Sequence, residues 1–182
     1  MESKLFTPVT FGPLTLRNRT IRSAAFESMC PGNAPSDMLL DYHRSVAAGG
    51  IGMTTVAYAA VTQSGLSFDR QLWMRPEIIP GLRRLTDAIH AEGAAAGIQL
   101  GHCGNMSHKS ICGCMPVGAS SGFNLYSPTF VRGLRADELP EMARAYGRSV
   151  NLAREAGFDS VEIHAGHGYL ISQFLSDRKS TR

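Results

Sequence analysis

The chain has 182 residues, of which 43% are hydrophobic and 18% are charged, and its formal net charge is +3. This composition is typical of a globular domain with a hydrophobic core, and it excludes a chain that is mainly disordered. Positive charge is concentrated only at Arg17, Arg19 and Arg22, which we interpret as a solvated strand edge, so nucleic-acid binding is not indicated.

The sequence contains no recognisable membrane or export segment. No apolar stretch reaches the roughly 20 residues of a membrane-spanning helix, and residues 1–8 lack the pattern of a signal peptide. We therefore expect a cytoplasmic protein with no membrane partner. In that compartment we expect the four cysteines to be thiols: Cys30, Cys103, Cys112 and Cys114. Oxidation or adventitious metal binding is an alternative for Cys112 and Cys114.

The first third of the chain predicts a hairpin, a strand and a helix. Two β-prone runs in residues 5–16 are separated by Gly12-Pro13, which is a hairpin signal. A short strand follows at 18–23. Ser36 is a suitable N-cap for a helix over 37–48, which Gly49 and Gly50 should end.

The middle of the chain predicts a second helix between two buried strands. Residues 51–61 are apolar almost without interruption, as in a parallel strand. Arg75-Pro76 opens a helix that Gly93 ends, and the next strand covers 95–100. Residues 111–135 are rich in Gly, Pro and Ser and show no periodicity, so we expect a long irregular loop of functional importance.

A third helix is predicted from an Asp137 cap to Gly157, with a buried stripe at Leu139, Met142, Ala143, Tyr146, Val150 and Leu152. A short strand around Val161 and Ile163 follows it. The resulting alternation of strands and helices predicts a parallel sheet with right-handed crossovers. A doubly wound sheet and a TIM barrel both satisfy this order, but the absence of a Gly-x-Gly-x-x-Gly turn disfavours the former.

The segment 156–176, AGFDSVEIHAGHGYLISQFLS, carries the chemistry. His164 should lie at the carboxyl end of the last strand, and the small residues after it should let the chain turn so that His167 and Tyr169 point into the same space. Two N–H donors and one weak acid form a device that holds a carbonyl oxygen and delivers a proton.

HAGHGYLISQFLS, the upstream AGFDSVEI and the earlier IQLGHCG together resemble the old yellow enzyme family of FMN-dependent ene-reductases. The resemblance implies that His164 and His167 bind the oxygen of an α,β-unsaturated carbonyl substrate and that Tyr169 donates a proton to it. It also implies that Gln99 bonds the pyrimidine edge of FMN, and that NAD(P)H supplies the electrons.

Further residues are assigned to the flavin only by this resemblance. Ala24, Ala25 and Phe26 occupy the positions that line the flavin ring, and Phe26 replaces a residue that is small and polar in the family. Tyr58 lies at a strand end where the family touches the flavin, although it could equally belong to the core.

The resemblance implies a TIM (β/α)8 barrel, of which this chain holds about the first four βα units and the N-terminal hairpin. We expect residues 1–176 to be the N-terminal half of a flavin-binding barrel. Residues 177–182, which resemble the translation of a sequencing adapter, are expected to be a non-native tail. The complete protein should act on a small molecule, and it could form a homo-oligomer.

Two other hypotheses remain open at this stage. A metal-dependent barrel hydrolase could use His102, His164 and His167 as ligands, although no His-Glu-x-x-His spacing supports a metal and we assign no metal residue. The chain could also be an inactive truncated half-barrel, since a complete barrel takes about 250 residues.

Overall fold

The computed structural model describes residues 3–176, so the expected tail at 177–182 lies outside the described residues. The strands in chain order are β1 (Val9–Phe11), β2 (Leu14–Leu16), β3 (Ile21–Arg22), β4 (Met53–Ala60), β5 (Ala95–Gly101), β6 (Val117–Gly118), β7 (Gly122–Asn124), β8 (Thr129–Gly133) and β9 (Ser160–Ile163). The α-helices are α1 (Asp37–Ala48), α2 (Ile79–Ala91), α3 (Lys109–Cys112), α4 (Leu139–Glu155) and α5 (Leu170–Leu175).

The central feature is a parallel sheet with the strand order β3-β4-β5-β9. Helix α1 lies between β3 and β4 in the chain, α2 between β4 and β5, and α4 between β5 and β9. The four strands have the same order in the sheet as in the chain, and a helix lies between each strand and the next, which confirms the predicted α/β class. A doubly wound sheet would reverse its strand order at a switch point, so this order favours the barrel.

The main hydrophobic core lies between this sheet and the three long helices. Leu39, Leu82 and Ile98 are fully buried in it, and each such side chain stabilises the fold by roughly 1.5–3 kcal/mol. Because side chains alternate along a strand, Gln99 lies on the opposite face of the sheet from Ile98. Glu162 of β9 is its neighbour in register on that face.

A second cluster lies at the carboxyl ends of the strands. The β4–β5 register shifts between Val56 and Ala59, so Ala59 joins the main core while Tyr58 turns to the other side. We call the second group the strand-end cluster; it contains Tyr58, Ala60, Leu66, Cys103 and Cys112, with Trp73, Met106, Ile111 and Tyr169 packed against it.

The predicted hairpin is present, because β1 and β2 pair in antiparallel fashion around the left-handed Gly12. The expected solvated edge is wrong for Arg17 and Arg22, whereas Arg19 is exposed. The Arg17 guanidinium donates to the main-chain oxygens of Ala47 and Glu92, at 2.5 and 2.7 Å. These oxygens lie at the ends of α1 and α2, where the helix dipole favours a cation. Arg22 forms an ion pair with the buried carboxylate of Glu27.

The helix predictions hold best where the signal is local. Helix α1 covers the predicted residues, and the Ser36 hydroxyl accepts a hydrogen bond from the Leu39 N–H at 3.2 Å. The predicted Asp137 cap is wrong, because Asp137 lies inside a 3-10 turn, Ala136–Glu138, that precedes α4. Ala143 is exposed, and the fully buried positions of α4 are its small residues, Ala145, Ser149 and Ala153.

The expectation of an irregular loop over 111–135 is also wrong. Strand β6 pairs with β8 in parallel, and β7 pairs with β8 in antiparallel orientation. These strands have two to five residues, which is too short for a period to show in the sequence. Within residues 3–176, no helix is both long and apolar enough to cross a membrane.

Candidate active site at the strand ends

His164, His167 and Tyr169 meet just beyond β9. The His164 N–H donates to the Leu100 carbonyl at 2.8 Å, so the backbone is still in register with β5 at this point. Nδ1 of His167 lies 3.1 Å from Nε2 of His164. The Tyr169 ring centroid is 4.9 Å from that of His164 and 6.3 Å from that of His167. The structure thus brings the three predicted side chains together, while their roles remain predictions.

The turn that places them is made by His167 itself. His167 has φ +55° and Gly168 has φ +69°. A left-handed backbone is uncommon for a residue with a side chain, and such strain is found mostly at functional sites. The sequence pattern had pointed to the small residues around His167 as the source of the turn.

The surroundings of His164 and Tyr169 favour the neutral form of each side chain. Burial lowers the pKa of His164, and His167 lowers it further, whereas Glu162 opposes the shift. Burial raises the pKa of Tyr169. A neutral imidazole carries one N–H donor, and a phenol with a raised pKa stays protonated at neutral pH. His164 therefore offers one imidazole N–H donor, and Tyr169 offers one acidic proton.

Tyr58 packs behind this group. It is 6% exposed, and its ring centroid lies 5.9 Å from His164 and 5.3 Å from Tyr169. Its hydroxyl lies 2.7 Å from the Ser67 hydroxyl and donates to the Gly65 carbonyl at 3.1 Å. Burial raises its pKa far above the ordinary value. Its hydroxyl is thus occupied by the loop after β4, and its predicted flavin contact stays a prediction.

The remaining flavin candidates lie at the ends of β3 and β5. Gln99 is partly exposed and donates from Nε2 to a Glu162 carboxylate oxygen at 2.5 Å. This bond orients the carboxamide and leaves its oxygen and one N–H for another partner. After β3, Ala24 is half-buried and Ala25 is exposed.

Phe26 packs against another aromatic ring, and its predicted flavin contact stays a prediction. It stacks on Phe68, with ring centroids 4.6 Å apart and an angle of 24° between the rings. Phe68 in turn lines an open cavity of about 600 Å³ beside Tyr169, together with Ser67, His108, Tyr126 and Ser127. Phe26 therefore supports a wall of the cavity through Phe68.

The arrangement of His102 does not favour the metal hypothesis. Its Nδ1 accepts the Gly104 N–H at 2.9 Å, so its Nε2 carries the proton and faces the Ser64 hydroxyl at 3.1 Å. Burial lowers the pKa of His102 to about 4. Within the part of the chain that the structure describes, no group of three or more His, Cys, Asp or Glu side chains could hold a metal ion.

A family model described as the NADH:flavin oxidoreductase / NADH oxidase family matches residues 4–182. The chain belongs to this family. The flavin of this family is FMN, and its reductant is NAD(P)H, as the resemblance had implied.

Individual relatives agree with this family. The chain is 42% identical over 178 residues to a 4,4'-dithiodibutanoate disulfide reductase of Rhodococcus erythropolis, covering 98% of this chain and 44% of the relative. It is 36% identical over 184 residues to an NADPH dehydrogenase of Listeria innocua, covering 99% and 53%. Among solved structures, the old yellow enzyme homologue of Zymomonas mobilis superimposes with a TM-score of 0.91 at 27% identity, covering 99% and 53%.

These matches confirm the fold prediction. The chain spans about half the length of the relatives it matches, and its four βα units superimpose on part of an old yellow enzyme barrel. The chain therefore corresponds to about half of a TIM barrel of this family.

Sequence reasoning missed Gln173, which joins three segments around the candidate site. Its side chain is 1% exposed in α5. Its Nε2 donates to the Gly168 carbonyl at 2.7 Å and to Asn105 Oδ1 at 2.9 Å, while its Oε1 accepts the Ala119 N–H at 3.4 Å. The turn after β9 is thus bonded to the loop after β5. The letters QFLS were part of the motif, but nothing in the sequence identified these partners.

Glu27 was missed as well. Its buried carboxylate lies 2.9 Å from Arg22 and 3.3 Å from Nε2 of His43, and it accepts the Ala57 N–H at 3.2 Å. A buried charge is tolerated only with such partners. Glu27 therefore fixes residues 24–26, which the family resemblance assigns to the flavin, against β4.

Proposed function

We propose that the protein containing this chain reduces the C=C bond of α,β-unsaturated carbonyl compounds with NAD(P)H. The observation that carries this proposal is the convergence of His164, His167 and Tyr169 beside an open cavity. The proposal includes a small-molecule substrate, a cytosolic location and a homo-oligomeric state, in keeping with the sequence expectations.

The residues at the strand ends fit a flavin. Gln99 offers a donor and an acceptor that suit the imide and carbonyl groups of a pyrimidine edge. The side chains of the half-buried Ala24 and the exposed Ala25 are small and leave room for a flat ring at the end of β3. FMN, when bound, supplies hydride transfer from the nicotinamide to the substrate.

The two histidines would hold the substrate oxygen. Nδ1 of His167 and Nε2 of His164 are hydrogen-bonded to each other at 3.1 Å. A substrate oxygen that replaces this contact would accept a hydrogen bond from each ring when both of these nitrogens carry the proton. Donors aimed at an oxygen that gains negative charge lower the barrier of the reaction. Because neither ring needs to be charged, this arrangement works at neutral pH.

Tyr169 would supply the proton. Burial raises its pKa, so it is protonated before the reaction, and a positioned general acid contributes typically 100- to 10,000-fold to the rate. One hydride from NAD(P)H and one proton convert the C=C bond to a CH–CH bond. The tyrosine is then reprotonated from solvent.

The experiment requires a complete barrel. We would join residues 1–176 to the C-terminal half of the Rhodococcus relative and call the product the fused chain. With FMN, NADPH and 2-cyclohexen-1-one, we expect stoichiometric formation of cyclohexanone. A fused chain that binds FMN and consumes NADPH only through oxygen would contradict the proposal, with the intact relative as the control for folding and loading.

An organic disulfide is a second candidate substrate. The observation in its favour is the 42% identity to a 4,4'-dithiodibutanoate disulfide reductase. The balanced reaction takes one disulfide, NAD(P)H and a proton to two thiols and NAD(P)+. The fused chain would be assayed with 4,4'-dithiodibutanoate and with cyclohexenone, and the higher kcat/KM decides between the two substrate classes.

A further inference from the structure

Two thiols lie in contact where helix α3 ends. The Sγ atoms of Cys112 and Cys114 are 3.6 Å apart. The residue between them, Gly113, has φ +70° and donates from its N–H to the Lys109 carbonyl at 2.9 Å. This left-handed helix cap is typical of glycine, and it turns the chain so that both sulfurs face each other.

The two thiols differ in access. Cys114 is exposed to solvent, whereas Cys112 is fully buried in the strand-end cluster and its thiol donates to the Cys114 carbonyl at 3.2 Å. The other two cysteines, Cys30 and Cys103, are buried as well. A reagent in solution therefore reaches Cys114 first. Cys112 is then the thiol placed to react with the modified Cys114 sulfur.

We propose that Cys112 and Cys114 form a dithiol–disulfide modification site that exchanges with low-molecular-weight disulfides. The thiolate of Cys114 attacks one sulfur of the reagent RSSR, forms a mixed disulfide and releases one thiol RSH. Cys112 then loses its proton and attacks the Cys114 sulfur, which releases the second RSH and closes the internal disulfide. The protein dithiol is oxidised by two electrons and RSSR is reduced by two, so the step balances without FMN or NAD(P)H.

The geometry requires little movement. The two sulfurs need to approach from 3.6 Å to about 2.0 Å. Burial and the hydrogen bond with Cys112 raise the pKa of Cys114 to about 11, so the thiol is the resting form. Since the thiolate is the reacting species, the reaction is best followed at mildly alkaline pH with an excess of disulfide.

The position of the pair links it to the candidate active site. Cys112 belongs to the strand-end cluster, against which Tyr169 packs. Its neighbour Ile111 lines the cavity beside Tyr169. Closing the disulfide therefore fixes the end of α3, which forms part of the cavity wall.

The test uses oxidised glutathione and peptide mapping. Trypsin leaves the pair alone in peptide 110–132, while Cys30 and Cys103 fall in peptides 23–44 and 85–109. The folded chain is treated with oxidised glutathione, then denatured, and its remaining thiols are alkylated. We expect peptide 110–132 to have two hydrogens fewer than the dithiol form and to carry no alkyl group. The other two peptides should be fully alkylated. Two alkyl groups on peptide 110–132, or a bridge from Cys114 to Cys103, would overturn the proposal.

Two matched variants identify the order of attack. Cys112→Ser should trap one glutathione at Cys114, because the resolving thiol is gone. Cys114→Ser should leave Cys112 unmodified, because that thiol is buried. A synthetic peptide of residues 110–132 tests the contribution of the fold. We expect the folded chain to close the disulfide at a value of [GSSG]/[GSH]² about tenfold lower than the peptide does. Equal values would show that the fold does not build this site.

Discussion

Nδ1 of His167 faces Nε2 of His164 at 3.1 Å, and His167 reaches this position with a left-handed backbone at φ +55°. A single residue thus supplies both the second imidazole and the turn that aims it. Backbone strain and side-chain chemistry at this position can be separated by substitution.

We predict that His167→Gly is more stable than His167→Val in the fused chain by about 1–2 kcal/mol. Both variants lose the imidazole, but glycine adopts a positive φ freely and valine does not. Urea unfolding of the two variants measures the difference. His167→Asn is the control, because asparagine tolerates this backbone and keeps an N–H donor. Equal stability of the Gly and Val variants would contradict the left-handed assignment.

Gln173 should be a strong stability determinant despite its polar side chain. Removing it with Gln173→Ala leaves the Gly168 carbonyl, Asn105 and the Ala119 N–H without this partner. An unsatisfied buried group costs about 1–3 kcal/mol, so we expect a loss of about 3 kcal/mol in unfolding free energy. Exposed Gln63 serves as the matched control, and Gln63→Ala should have little effect. A loss for Gln173→Ala as small as that of the control would exclude the bonding role.

His102 should make stability depend on pH. Burial holds its folded pKa near 4, against an ordinary value of 6.5. Between these pH values the unfolded chain binds a proton at His102 that the folded chain does not bind. The unfolding free energy is therefore not reduced by His102 titration above pH 6.5, and it falls as the pH decreases toward 4. The shift corresponds to roughly 3 kcal/mol.

Unfolding free energies at pH 7 and at pH 4 check this expectation. The His102→Asn variant keeps an acceptor for the Gly104 N–H but does not titrate, so it should lose less stability on acidification than the parent. The same pH dependence in both proteins would show that other groups cause the effect.

Residues 1–182 alone should self-associate and bind FMN weakly. Among the described residues, β3 and β9 each have a strand neighbour on one side only, and Ile21 and Ile163 on these strands are 46% and 44% exposed. Unpaired strand edges with apolar side chains promote association. We expect light scattering to show oligomers, and the double variant Ile21→Lys, Ile163→Lys to shift them toward monomer. A monomeric parent chain that binds FMN at submicromolar concentration would contradict this view.

Local signals in the sequence predicted most of the fold. Ser36 and Gly49 bounded α1 correctly because caps act on their own turn. His164, His167 and Tyr169 could be grouped from the sequence because they lie within six positions of each other.

Contacts between distant residues could not be predicted in this way. Gln173 and Asn105 are 68 positions apart, and Arg17 and Glu92 are 75 apart. No local pattern encodes such pairs. The short strands β6 to β8 escaped notice because their stability comes from pairing with one another rather than from a repeating pattern of burial.

The proton-donor role of Tyr169 is the central claim, and one variant tests it directly. In the fused chain, Tyr169→Phe keeps the ring that packs 4.9 Å from His164 and 5.3 Å from Tyr58 but removes the acidic proton. Stopped-flow absorbance would follow flavin reduction by NADPH and flavin reoxidation by cyclohexenone separately. We predict an unchanged rate of reduction and a reoxidation rate that falls about 100- to 10,000-fold. Reoxidation by cyclohexenone at the full rate, with cyclohexanone as the product, would contradict the account.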